Sequence, residues 1–168
     1  MLSIALVLTA ANVTEQMAPA KQGMLQCQMP DVLFKTCFSL SKVYQNGPST
    51  WVFDTQMVVD LQSSVIASIK DTVFVRGTEV CKAANAIDVS KFTFSLEGRS
   101  LPSAEAAKYR EKLRRFYAAF GGKMICTEVV PNEQGMDMVH TTVDGKRFPA
   151  GDYAMKWVSP KDGWTVAP

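Results

Sequence analysis

Apolar and polar residues alternate through much of the first half of the chain. Phe38, Leu40 and Tyr44 share one side of a stretch whose other side carries serines, and a period of two is typical of a β-strand. Turn-forming residues at 46–49 then end this stretch. Similar patterns predict further strands over 50–60, 65–75, 78–81 and 91–96. The first half is therefore predicted to be an antiparallel β-meander.

A helical pattern follows from Ser103 to Phe120. Ser103 is a residue type favoured at helix N-caps, and Gly121-Gly122 favours a left-handed stop. The apolar side chains fall on one arc of a helix: Tyr109, Leu113, Phe116, Tyr117 and Phe120. Such an arc is typical of a helix docked on a sheet. The sequence therefore predicts an α+β fold, an antiparallel β-meander sheet with one amphipathic helix (about 103–120) packed on it.

The last part of the chain contains a strong hairpin signal, Asp144-Gly145. The flanking patterns predict strands over 124–130, 136–143 and 153–158. A tight turn at Asp144-Gly145 pairs Thr142 with Arg147, and this register fixes which residues share a face.

The N-terminal residues have the character of a secretory leader. Met1 to Ala11 is an apolar run too short to span a bilayer but of the length of a signal-peptide h-region. Ala18-Pro19-Ala20 suits cleavage before Lys21. The sequence thus predicts a cleaved signal peptide over 1–20 and a single domain over 21–168. No basic residue precedes Lys21, and a buried N-terminal strand or helix is the alternative.

Four cysteines, an even number, fit an exported protein. No Cys-x-x-Cys pair occurs, which argues against a thioredoxin-type site and a zinc knuckle. We therefore predict two structural disulfides among Cys27, Cys37, Cys81 and Cys126. Three pairings satisfy the sequence, and the most local one joins Cys27 to Cys37 and Cys81 to Cys126. If residues 1–20 are not a signal peptide, the alternative is four buried free thiols.

Composition narrows the class of protein. The chain has 168 residues, 47% of them hydrophobic and 20% charged, which is typical of one globular domain and excludes disorder. The net charge of +2 is too small to indicate a nucleic-acid binder. A single histidine excludes a zinc site with two or three histidines in one chain. Phosphate-binding glycine patterns and the Gly-x-Ser-x-Gly nucleophile motif do not occur.

Two sets of residues are candidates for binding. Met136, Met138 and His140 alternate along a predicted strand, and two thioethers with an imidazole are soft ligands suited to Cu(I). Side chains that simply pack the sheet are the alternative. The second set is the basic arc of the helix, predicted to meet an anionic surface or else to be only solvated: Lys108, Arg110, Lys112, Arg114 and Arg115.

Together these patterns predict a small exported, non-catalytic binding or structural protein of the bacterial envelope, periplasmic or secreted. Its ligand is not identified by sequence, its partner is another envelope protein or an anionic surface, and specific nucleic-acid binding is not expected. No cofactor is predicted, and the chain is not transmembrane after cleavage. The alternatives are a periplasmic Cu(I)-binding carrier and a small hydrolase whose carboxylates come from distant positions.

Overall fold

The computed structural model describes residues 16–132 and 135–167. Residues 1–15 of the predicted leader lie outside them. The described α-helices are α1 (Ala18–Lys21) and α2 (Ser103–Ala118). The described strands are β1 (Leu25–Asp31), β2 (Thr36–Gln45), β3 (Thr50–Asp60), β4 (Val65–Arg76), β5 (Glu79–Ala83), β6 (Thr93–Leu96), β7 (Arg99–Ser100), β8 (Met124–Val130), β9 (Asp137–Val143), β10 (Lys146–Arg147), β11 (Tyr153–Val158) and β12 (Thr165–Val166).

Eight of these strands close into an antiparallel β-barrel. The ring runs β1-β2-β3-β4-β5-β8-β9-β11, and β11 pairs with β1 to complete it. The strands follow one another in chain order, so the barrel is an up-and-down meander. The β6–β7 hairpin extends the sheet beside β4, while β10 pairs with β9 and β12 with β2.

The predicted α+β architecture, a sheet with an amphipathic helix packed on it, is wrong. The molecule is mostly β, and its sheet closes because β1, a strand that the sequence pattern did not reveal, bridges β2 and β11. On β1 the residues that face inward are Gln26 and Gln28, opposite Ser41 and Ser39. A strand with two inward glutamines lacks the apolar alternation by which strands are recognised.

Helix α2 covers one end of this barrel. It spans Ser103–Ala118, close to the predicted range, but its N-cap is Pro102 rather than Ser103. Gly121 and Gly122 have φ values of 58° and 78°, so the left-handed stop is confirmed. The helix packs on a core cluster that contains the start of β4: Val65, Ala67, Ile69, Phe92, Phe94 and Ala106.

The two ends of the barrel differ. At the end where β4 begins, here called the mouth, lie the connections 32–35, 61–64, 84–123 and 144–152. At the opposite end, Met17 and Ala20 are buried against Val43 and Trp51. The N-terminal segment therefore plugs that end. These plug residues belong to the predicted signal peptide, and cleavage before Lys21, which stays a prediction, removes them.

Both disulfides follow the most local pairing. Cys27 is bonded to Cys37 and Cys81 to Cys126, and the latter two are direct partners across β5 and β8. No free cysteine occurs among the described residues. Two disulfides are consistent with an oxidising compartment. Within the described part of the chain, neither helix has the length and hydropathy that crossing a bilayer requires.

Candidate functional site

The barrel contains a cavity of about 440 Å³ that is partly open to solvent. Its walls are formed by inward-facing side chains of the ring strands and by residues of the mouth connections. This volume lies in the range of small-molecule binding sites, roughly 300–1,000 Å³. An eight-stranded barrel is just wide enough to hold one small ligand.

Most of the cavity wall is apolar. Phe53, Val73 and Val80 line it and also pack against the plug cluster, so they form its floor. Met57 and Ile69 continue this surface toward the mouth. A ligand in the cavity thus contacts mainly hydrocarbon and aromatic groups, whose burial favours binding.

Aromatic side chains surround the mouth of the cavity. The ring centroid of Phe120 lies 5.5 Å from that of Phe116 and 6.1 Å from that of Phe148, both in edge-to-face geometry. All three line the cavity, together with Tyr117. Phe116 is 57% exposed and Phe148 37% exposed. These residues belong to the connections at the mouth rather than to ring strands, and Phe116 and Tyr117 lie on α2.

Two neutral polar pairs interrupt the apolar wall. The hydroxyls of Ser41 and Thr55 lie 2.8 Å apart, and Gln28 Nε2 donates to the Tyr153 hydroxyl at 3.3 Å. All four residues line the cavity. Burial raises the pKa of Tyr153 far above its ordinary value, so its phenol is neutral at physiological pH.

One ion pair also lines the cavity, between Lys82 and Asp71. Their side chains are 15% and 27% exposed, and Lys82 Nζ additionally donates to the Thr72 carbonyl at 3.3 Å. Burial and the nearby Asp71 carboxylate raise the pKa of Tyr117. Asp71 is the one carboxylate among the described residues that line this cavity, so a pair of carboxylates for hydrolysis is not assembled here.

Gln26 carries a buried acceptor beside the same wall. It is 3% exposed, and its Oε1 has no hydrogen-bond partner among the described residues. The register places Gln26 opposite Ser41, a cavity residue. An unpaired buried acceptor costs roughly 1–3 kcal/mol.

The site thus combines an apolar chamber with a few polar groups, as ligand-binding barrels do. Comparison with protein-family models, curated proteins and solved structures finds no match for this chain.

The residues predicted to bind Cu(I) lie outside the cavity. Met138 and His140 are on β9, two residues apart, flanking the inward, buried Val139, and Met136 precedes the strand. Met138 is 37% exposed. The copper site stays a prediction.

Elsewhere, Glu79, Cys81 and Cys126 bring ligand-type atoms within 4.8 Å of one another, but both sulfurs are in a disulfide.

The predicted anionic-partner surface lies on α2. Its basic side chains differ in the bonds that they form within the protein. Arg110 donates to the Phe92 carbonyl at 3.3 Å, and its guanidinium lies 5.6 Å from the Phe94 ring centroid. Arg114 and Arg115 both pair with Glu111. Lys108 and Lys112 are exposed. Partner binding by this surface stays a prediction.

The serines of β2 show why the cavity was missed in the sequence. Ser39 and Ser41 are 3% and 1% exposed and face the barrel interior, and Phe38 also lines the cavity. The alternation of serines with Phe38 and Leu40 does not show which side of the strand is inside. Leu40 instead packs outside, with Trp164 and the Cys27–Cys37 disulfide. Small polar side chains alternating on a strand were the available signal, because they leave room inside a barrel.

An ion pair at the mouth predicts acid sensitivity. The Arg147 guanidinium, helped by the Thr141 N–H, lowers the pKa of Asp152 from 3.8 to about 2. Because the folded pKa is below the unfolded one, the stabilisation is present above about pH 4 and lost as the pH falls toward 2. In urea unfolding at several pH values, we expect the wild type to lose stability over this range more steeply than Asp152→Asn. Parallel pH profiles would contradict this assignment.

Proposed function

We propose that the protein binds one small, largely apolar molecule inside its barrel and acts as a non-catalytic carrier. The observation that carries this proposal is the cavity of about 440 Å³, whose floor packs on Val43 and Trp51 at one end and whose other end is surrounded by aromatic side chains. Natural ligand sites have this composition, an apolar wall with a few oriented polar groups.

The polar groups narrow the chemistry of the ligand. Its hydrogen-bonding groups would meet the Ser41–Thr55 pair, the Gln28–Tyr153 pair and the Lys82–Asp71 ion pair. The hydroxyls of Ser41, Thr55 and Tyr153 line the cavity and favour a ligand with a hydroxyl or N–H group. We therefore propose an amphipathic ligand with a hydrocarbon or aromatic body.

We further propose that this carrier works outside the cytoplasm, in the periplasm or as a secreted protein. The predicted signal peptide over 1–20 supports this, as do the two disulfides. Intact-mass analysis of the expressed protein, with thiols alkylated before and after reduction, tests it. A mass beginning at Lys21 with no free thiols is expected, and a full-length mass with four free thiols would overturn it.

Cavity binding is tested by titration with N-phenyl-1-naphthylamine, an apolar dye that fluoresces when it leaves water. We expect saturable binding at one equivalent. Ser39→Phe places a ring in the cavity and should raise the apparent Kd at least about tenfold, because the added volume excludes the dye. Fluorescence titration, with circular dichroism to verify folding, measures this.

The matched control is Ser68→Phe. Ser68 lies on the outer face of β4, between Gln56 and Thr93, which are both exposed. The Ser68→Phe variant should have the same Kd for the dye as the wild type. The dye could also adsorb to exposed apolar loops, so Leu33→Ser/Phe34→Ser is titrated as well and should retain binding. Absence of saturable binding by the wild type, or equal binding by Ser39→Phe, would refute the proposal.

A further inference from the structure

The mouth of the barrel carries exposed apolar side chains that the cavity does not use. In the β1–β2 connection Val32 is 52% exposed, Leu33 83% and Phe34 71%. In the β3–β4 connection Leu61 is 63% exposed. Isolated exposed apolar residues are ordinary, but a group of them at one end of a molecule indicates an interaction site.

These two connections, 32–35 and 61–64, are here called the rim loops. They lie next to each other because they flank the paired strands β2 and β3. Both are at the same end as the aromatic mouth. Whatever surface covers the rim loops therefore also faces the entrance of the cavity.

Each rim loop is held in shape by an aspartate at its start. Asp31 Oδ1 accepts the backbone N–H groups of Leu33 and Phe34 at 3.0 and 3.1 Å. Asp60 Oδ1 accepts those of Gln62 and Ser63 at 3.0 and 3.5 Å. Each carboxylate thus fixes the backbone of its own loop. The apolar side chains of these loops point outward and are exposed.

Basic residues flank the rim loops. Lys35 directly follows Phe34, and its Nζ donates to the Asp162 carbonyl at 3.1 Å, next to the exposed Lys161. Lys112 of α2 donates to the Val59 carbonyl at 2.9 Å and so lies beside the second loop. The apolar tips protrude beside three lysines, Lys35, Lys112 and Lys161, and the nearby carboxylates of Asp31 and Asp60 are bonded to loop backbone. Apolar tips with adjacent lysines suit an anionic lipid surface, where side chains insert between headgroups and lysines contact phosphates.

We propose that the rim loops dock the mouth of the barrel onto an anionic lipid membrane, from which the cavity takes up its ligand. The uptake half of this inference rests on the proposed cavity binding, whereas the docking half does not. Docking places the hydrocarbon-lined entrance at the membrane surface, so an apolar ligand can enter without crossing water.

Docking is tested by co-sedimentation of the full chain with vesicles of phosphatidylcholine mixed with phosphatidylglycerol. We expect Leu33→Ser/Phe34→Ser to weaken partitioning about 100-fold, because two large apolar side chains no longer insert. Phe74→Ser is the matched control, since Phe74 is 37% exposed on β4 near the plug end. It should bind like the wild type.

The charge requirement is tested separately. Lys35→Gln/Lys112→Gln should weaken binding about tenfold, and pure phosphatidylcholine vesicles should have a similar effect on the wild type. Lys42→Gln/Lys70→Gln, which changes two exposed lysines of the barrel wall, is the control and should have a smaller effect than the rim pair.

Uptake is measured by preloading the same vesicles with the naphthylamine dye and following its transfer to the protein. Leu33→Ser/Phe34→Ser should slow transfer while still binding dye from solution, which separates docking from cavity binding. Wild-type protein that binds dye but not vesicles would overturn the docking proposal and leave the cavity function intact. A concentration-dependent dimer that is lost in the same variant would show that a second copy covers the rim loops, and would also overturn it.

Discussion

Replacing both Cys81 and Cys126 by alanine is expected to lower the free energy of unfolding by about 4 kcal/mol. The bond joins residues separated by 45 positions, and the loop entropy that such a crosslink removes from the unfolded chain has about this size. The loop contains β6, β7 and α2. The bond therefore ties the whole mouth connection to the barrel wall. Urea unfolding under oxidising conditions measures the change.

The second disulfide supplies a comparison within the same molecule. Cys27 and Cys37 are separated by only 10 positions, so replacing both by alanine should cost about 2.7 kcal/mol by the same entropy argument. If removal of the shorter loop costs as much as removal of the longer one, loop entropy is not what these bonds contribute.

Phe92→Ala is expected to lower the free energy of unfolding by about 4 kcal/mol. Phe92 is 1% exposed and its ring centroid lies 6.4 Å from that of Phe94. It belongs to the cluster that joins the start of β4 to α2, so truncation leaves a void between the barrel and its helix. Chemical denaturation measures this cost.

Phe116→Ala is the matched control for that variant. Phe116 is on α2 and 57% exposed, with edge-to-face contacts to Tyr117 and Phe120. We expect a loss of about 1 kcal/mol or less. Equal losses for the two variants would show that α2 and β4 do not share the core described here.

Local features of this fold were predictable from the sequence. Strand β3 has the predicted bounds of 50–60, and the Asp144-Gly145 hairpin pairs Thr142 with Arg147 as expected. Both depend on residues close together in the chain, where turn chemistry and alternation act directly. Helix α2 was found for the same reason, through its periodicity and its glycine stop.

Closure of the barrel was not predictable in this way. It depends on pairing between β1 and β11, which are far apart in sequence, and β1 contains Pro30 and inward glutamines. The alternation of apolar and polar residues also does not show which side of a strand faces the barrel interior. The cavity residues come from many strands, so no short motif contains them. The sequence predicted a site at Met138 and His140 on β9 instead.

The contact between β1 and β11 also determines when the cavity exists. Leu25 pairs with Val158, so the ring cannot close until β11 has been synthesised. Non-local pairing of this kind is slow because its loop-closure entropy is lost before the contacts form. Until β11 pairs with β1, the N-terminal strands have an open edge, and aggregation competes with folding in this state. The cavity consequently forms only after the last ring strand has paired with β1.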